Sequence, residues 1–129
     1  GRSVVCVDRE GNGNYGVYVA NYGGPTRFYE FIEDRIVDLA ESLKLDEITG
    51  GRAVVAGHIL TDQMDIFAAN ERGPNFLYFN KKGKFFSSKG EIKYHTISIL
   101  FLYCLQWPNL PKTTILQPYI PISLKSGIQ

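Results

Sequence analysis

Apolar and polar residues alternate in short bursts through the first 87 residues, and glycine, asparagine and proline punctuate the bursts. Alternation with a period of two marks strands that bury one face. The first such run covers 3–7, a β-branched stretch, and the next covers 15–21 with Val17, Tyr18 and Val19 at its centre. Tyr22-Gly23-Gly24-Pro25 predicts a turn, because two glycines and a proline supply the special backbone angles that turns need. A third strand is predicted over 27–32 and a fourth over 36–40, running into a helical turn through Leu43. Further runs follow at 53–56, 64–70 and 75–80, and Lys82-Gly83 predicts a hairpin turn into Phe85-Phe86.

These runs repeat. Gly1-Arg2-Ser3-Val4-Val5 returns as Gly51-Arg52-Ala53-Val54-Val55, a shift of 50. Tyr18-Val19-Ala20-Asn21 returns as Phe67-Ala68-Ala69-Asn70, Gly24-Pro25 as Gly73-Pro74 and Phe28-Tyr29 as Leu77-Tyr78, each at a shift of 49. One residue is lost between the blocks, inside the loop that follows the first strand. Short strands at a period near 50 point to β-propeller blades, whose two apolar faces need neighbours. The expected architecture is all-β: a partial β-propeller of about two blades, 1–50 and 51–87. An irregular, partly apolar tail is expected over 88–129.

Candidate chemistry sits in the loop between the first two strands. Asp8, Glu10 and Asn12 alternate there, with Gly13 next, which matches loop positions 1, 3, 5 and 6 of a calcium site. Asn14, at position 7, would offer its backbone carbonyl. Position 9 falls on Gly16, which has no side chain to ligate, so an aspartate placed there is expected to add a ligand. The corresponding loop of the second repeat offers Gly57, Ile59 and Thr61, leaving Asp62 and Asp65, and is expected to be metal-free. As an acid/base pair Asp8 and Glu10 would need environments that push their pKa values apart, which one solvated glycine-rich loop does not provide. His58 and His95 lack the Cys/His company of a metal site. GNGNYG lacks the helix and the Lys-Ser/Thr pair of a phosphate loop. Tyr18, Phe28, Tyr29, Tyr78 and Phe79 fit blade-packing core better than a platform for stacking bases.

The residues Asp8-Arg9-Glu10-Gly11-Asn12-Gly13, Val17-Tyr18-Val19-Ala20-Asn21, Gly73-Pro74-Asn75-Phe76-Leu77-Tyr78-Phe79-Asn80 and Lys82-Gly83-Lys84-Phe85 resemble the FG-GAP/VCBS repeat of integrin-type propellers. More narrowly, residues 1–87 resemble the cartilage acidic protein family. The resemblance implies a secreted, extracellular protein with calcium as its cofactor, held weakly by Asp8, Glu10, Asn12 and Asn14. It also implies matrix or cell-surface proteins or glycans as partners, and a binding or structural module, not an enzyme. A rival reading makes the chain an enzymatic propeller with acidic cleft residues, and another a membrane-associated module anchored through residues 97–107.

Composition narrows the alternatives. A chain of 129 residues, 44% hydrophobic and 13% aromatic, can bury a core of its own. Residues 1–80 carry 7 basic and 12 acidic side chains, and residues 81–129 carry 7 and 1. The lysines of the second part are too dispersed to make a nucleic-acid patch, so no nucleic-acid partner is expected, and no small-molecule substrate. The apolar run at 97–105 falls short of the roughly 20 residues that span a bilayer, so no membrane partner is expected. Prolines 108, 111, 118 and 121 favour extended or turn structure beyond it. Cys6 and Cys104 lie far apart in dissimilar surroundings and are expected to be separate thiols. An initial glycine in place of methionine reads as an excised piece.

Overall fold

A computed structural model describes residues 1–89, with side chains through Ser87. The regular elements of that span are all strands: β1 (Ser3–Val7), β2 (Gly16–Ala20), β3 (Tyr22–Pro25), β4 (Arg27–Ile32), β5 (Arg35–Asp38), β6 (Ile48–Gly57), β7 (Asp65–Asn70), β8 (Phe76–Lys81) and β9 (Lys84–Lys89). Two antiparallel sheets result. The first has the order β1-β2-β4-β5 and the second the order β3-β6-β7-β8-β9. The tail readings, including the apolar run at 97–107, lie outside the described residues.

The predicted strands recur with small changes of length, apart from the segment taken as a turn over 22–25. It is a strand, β3, and it leaves the first sheet to lie beside β6, with Tyr22 opposite Gly50 and Pro25 opposite Ile48. Proline has no N–H to give a ladder, which an edge position tolerates. Gly23 adopts φ 70° and the register shifts between Tyr22 and Pro25. Partnered in this way, β6 reaches ten residues. At the other end of the first sheet Asp38 stops β5, because its Oδ1 accepts the N–H of Ala40 at 3.0 Å. A turn follows, in which Leu43 N–H donates to Leu39 O and Leu45 N–H to Ala40 O.

Alternation sorts each sheet into two faces. In the first sheet Tyr18, Ala20, Phe28 and Val7 point inward and are buried. They meet Val54, Ala56, Ile66, Ala68, Tyr78 and Phe85 of the second sheet in one apolar cluster. Tyr18 faces Tyr78 with ring centroids 6.2 Å apart, and Phe28 faces Phe85 at 6.1 Å, both tilted. Each fully buried side chain of this size contributes about 1.5–3 kcal/mol over leaving it in water. The repeat shows in the turns too: Asn21 Nδ2 donates to Pro25 O and Asn70 Nδ2 to Pro74 O, each at 2.6 Å. Lys82 and Gly83 both take positive φ, 51° and 81°, the paired left-handed angles of a two-residue hairpin turn.

Candidate functional site

The loop over 8–14 is folded by its own side chains. Asp8 Oδ1 accepts the N–H of Asn12 at 3.1 Å, and Oδ2 accepts that of Gly13 at 2.8 Å. Asn12 Oδ1 accepts the N–H of Asn14 at 2.9 Å, while its Nδ2 donates to Glu10 Oε2 at 3.2 Å. Gly11 and Gly13 hold φ of 68° and 85°, which side-chain-bearing residues rarely adopt. Asp8, Glu10 and Asn12 are thereby brought together, and Asn14 joins them through its backbone. Their oxygens are hard donors of the kind calcium takes. Among the described residues no three Asp, Glu, His or Cys side chains converge, so the donor set rests on two carboxylates and neutral oxygens.

Arg9, between the two carboxylates, turns the other way. Its Nε and Nη2 clasp Glu30 at 2.7 and 3.0 Å, and Nη1 donates to Gly83 O in the second sheet at 3.0 Å. Nη2 also lies 3.1 Å from Glu10 Oε1. The Glu30 contact, the largest influence on Arg9, holds its guanidinium above the usual arginine range. Asn80 closes the circuit: its Nδ2 donates to Arg9 O at 2.8 Å and its Oδ1 accepts Gly83 N–H at 2.9 Å. Asp8 N–H adds a contact to the Met64 sulfur at 3.3 Å. The loop is therefore fastened to the second sheet's hairpin as well as to its own sheet.

The second repeat answers the same geometry without acids along its loop. Asp65 stands where Gly16 stands in the first repeat, and it is fully buried. Its Oδ2 accepts Leu60 and Thr61 N–H at 2.8 and 2.9 Å. Its Oδ1 accepts Thr61 Oγ1–H and Asn80 N–H, both at 2.8 Å. Burial pushes its carboxyl above the ordinary range, against the pull of these four donors. In the first repeat that volume belongs to an aromatic ring. A Cβ on Gly16 would stand 2.7 Å from Phe28 Cε1 and Cζ and 2.9 Å from Glu30 Cγ. The expected gain from an aspartate at position 9 meets this obstruction, since the buried Phe28 ring has no room to withdraw.

At the opposite end of the sheets Arg2 stacks on Tyr22, 4.4 Å from the ring centroid, and Arg2 and Arg52 flank Glu71 at 3.4 and 3.5 Å. A shallow hollow beside them is lined by Tyr22, Ile48, Asn70, Arg72, Pro74 and Phe76.

No family model matches the chain. Among curated proteins, cartilage acidic protein 1 of Homo sapiens is 41% identical over 95 residues, covering 63% of this chain. The Xenopus tropicalis and Mus musculus proteins of that name are 41% and 40% identical over the same coverage of this chain. A segment of this chain is related to cartilage acidic protein 1. The chain spans only 14% of the human relative and 15% of the other two.

Within this cartilage acidic protein-like segment, the side chains that fasten the loop escaped sequence reasoning. Arg9 and Glu30 are 21 residues apart and Arg9 and Gly83 are 74 apart, so no local spacing reveals them. A signal did exist for Asp65, whose alignment with Gly16 marks the place where the two loops diverge. Of the aromatic residues assigned to core, Tyr18, Phe28, Tyr78 and Phe79 are buried, and Tyr29 is half-exposed on the outer face. Cys6 is a free thiol, exposed on that same face; Cys104 lies outside the described residues.

Proposed function

We propose that the chain is part of an extracellular, matrix-associated protein related to cartilage acidic protein, serving as a binding or structural module and not as an enzyme. In this reading the two sheets are consecutive FG-GAP-type blades of a β-propeller, and the partners are matrix or cell-surface proteins or glycans. The observation that carries it is the kinship with cartilage acidic protein 1, joined to two repeated sheets packed through equivalent elements. Among the described residues no helix is long and apolar enough to cross a membrane.

The loop over 8–14 is the calcium site of this proposal. Asp8 and Glu10 would bring charge, Asn12 its amide oxygen and Asn14 its backbone carbonyl. A bound cation would supply charge neutralisation and a cross-link within the loop. Two formal charges place such a site in the weak range of extracellular modules, about 10⁻⁴–10⁻³ M. Titration calorimetry of the chain with calcium tests the site. Heat of binding should be present in the wild type, lost in Asp8→Ala and retained in Asp62→Asn. Solid-phase binding to immobilised matrix proteins and sulfated glycans tests the module; capture of none of them would count against it.

A further inference from the structure

The two sheets stack head to tail, and that asymmetry assigns a surface. The first sheet offers its inner face, Tyr18, Ala20 and Phe28. The second receives it on the face carrying Val54, Ala56, Ile66, Ala68, Tyr78 and Phe85. Shifting those six positions back by one repeat gives Val4, Cys6, Val17, Val19, Tyr29 and Ile36. The registers agree: Cys6 lies opposite Val17 and Val17 opposite Tyr29, as Ala56 lies opposite Ile66 and Ile66 opposite Tyr78. The first sheet therefore carries the same receiving face as the second, and here that face meets solvent. Val4 is 63% exposed and Ile36 74%, and Phe31 beside them is exposed as well. Six apolar or weakly polar side chains in one exposed sheet face are the mark of an interaction surface.

We infer that this outer face is the docking surface for a further unit of the same kind, one that presents the counterparts of Tyr18, Ala20 and Phe28. The inference rests on the repeated-sheet part of the proposal above and is independent of calcium. Its aromatic partners follow from the existing contact. A residue at the Tyr18 position would meet Tyr29 as Tyr18 meets Tyr78, and one at the Phe28 position would meet Ile36 as Phe28 meets Phe85. An arginine at the Arg9 position would reach the Glu33–Asp34 turn, whose positive φ angles of 46° and 60° match those of Lys82 and Gly83. There it would find an acid where Arg9 finds only a carbonyl.

Two observations choose this occupant. Most of the human relative's length lies outside the match, so related chains carry ample sequence for further units. A second copy of this chain has no inner face to offer. Its Tyr18 face is engaged with its own second sheet, and the equivalent face of that sheet is closed, Leu77 being 1% and Phe79 2% exposed.

The repeat itself supplies the probe. Because Gly51 follows Gly50 and restarts the pattern of Gly1, a copy of residues 1–50 can be placed directly ahead of Gly1 in the full chain. With Cys6→Ser in the added copy, the original Cys6 reports from the centre of the docking face. Its alkylation is followed by mass spectrometry of the tryptic peptide 3–9, which also separates it from Cys104. Docking should slow Cys6 alkylation by about tenfold or more, since the thiol then reacts only through local opening. Tyr29→Arg in the original unit should restore the fast rate, while leaving the unfolding midpoint of the unextended chain unchanged. Hydrogen exchange of the intact protein counts protected amides. If their number rises and Cys6 stays as reactive as before, the copy folds but the docking inference is wrong. If their number does not rise, the repeated-sheet reading beneath it fails. Cys6 protection in the unextended chain that grows with concentration would make a second copy the occupant, and would equally overturn the inference.

Discussion

Replacing Arg9 by methionine isolates the fastening of the loop to both sheets. The side chain keeps its length and apolar stem and loses the guanidinium. Glu30 is then left with its carboxylate among buried neighbours, since the Arg9 and Glu30 side chains are only 15% and 9% exposed. Breaking a buried pair by removing one partner costs about 3–5 kcal/mol, because the remaining charge is uncompensated. Glu30 lies at the margin of the inter-sheet cluster, where its carboxylate can draw in water, which lowers the figure. The lost donation to Gly83 O adds roughly 1 kcal/mol. Together these set the expected loss at about 2–4 kcal/mol. A domain of this size shifts by about 4–8 °C per kcal/mol, so the melting midpoint should fall by at least about 8 °C. Urea unfolding of Arg9→Met, Glu30→Gln and the double variant gives the coupling directly. The double variant should be more stable than Arg9→Met alone, since a neutral pair leaves no buried charge. Strict additivity of the two substitutions, or a loss below about 0.5 kcal/mol for Arg9→Met, would refute the reasoning.

Two further expectations follow from the loops. Gly16→Ala should destabilise by about 1–3 kcal/mol in urea unfolding, as overpacking against the Phe28 ring, and a neutral result would mean the ring can move. Asp65→Asn turns an amide N–H₂ toward two existing donors and should cost about 1–3 kcal/mol near neutral pH. The pH dependence of that difference has a definite sign. Burial raises the folded pKa of Asp65 above its ordinary 3.8, so the native state keeps its proton over a window in which the unfolded chain has lost it. Stability of the wild type relative to Asp65→Asn should therefore fall as pH rises from about 4 through the folded pKa, and level off above it. Urea midpoints across that range check the slope; a rising difference would show that the four donors prevail over burial.

Much of the sheet architecture was legible because one face of most strands is buried, which writes period two into the sequence. β1 and β4 follow the alternation with no change of bounds. β3 did not, since Tyr22-Gly23-Gly24-Pro25 carries turn residues and its strand character comes only from a partner more than twenty residues away. The same remoteness hid the clasp of Arg9 on Glu30. Asp8, Glu10 and Asn12 announced their loop because a tight turn gathers near neighbours. Gly16 was legible as a missing ligand but not as a necessary vacancy, because the ring that demands it belongs to the adjacent strand.

The departure of β3 from its own sheet puts sequence period and sheet membership out of phase. The chain repeats every 49 or 50 residues, yet a sheet takes its edge strand from the repeat before it. An internal duplication whose boundary falls at Gly50 therefore cuts across a hydrogen-bonded sheet, and each unit so made is born with an unpaired border and a strand to lend. Such units gain their full set of strands only in an ordered series. Insertion or loss of residues between β3 and β6 is accordingly felt in the neighbouring sheet, which makes the order of units along the chain a structural property in its own right.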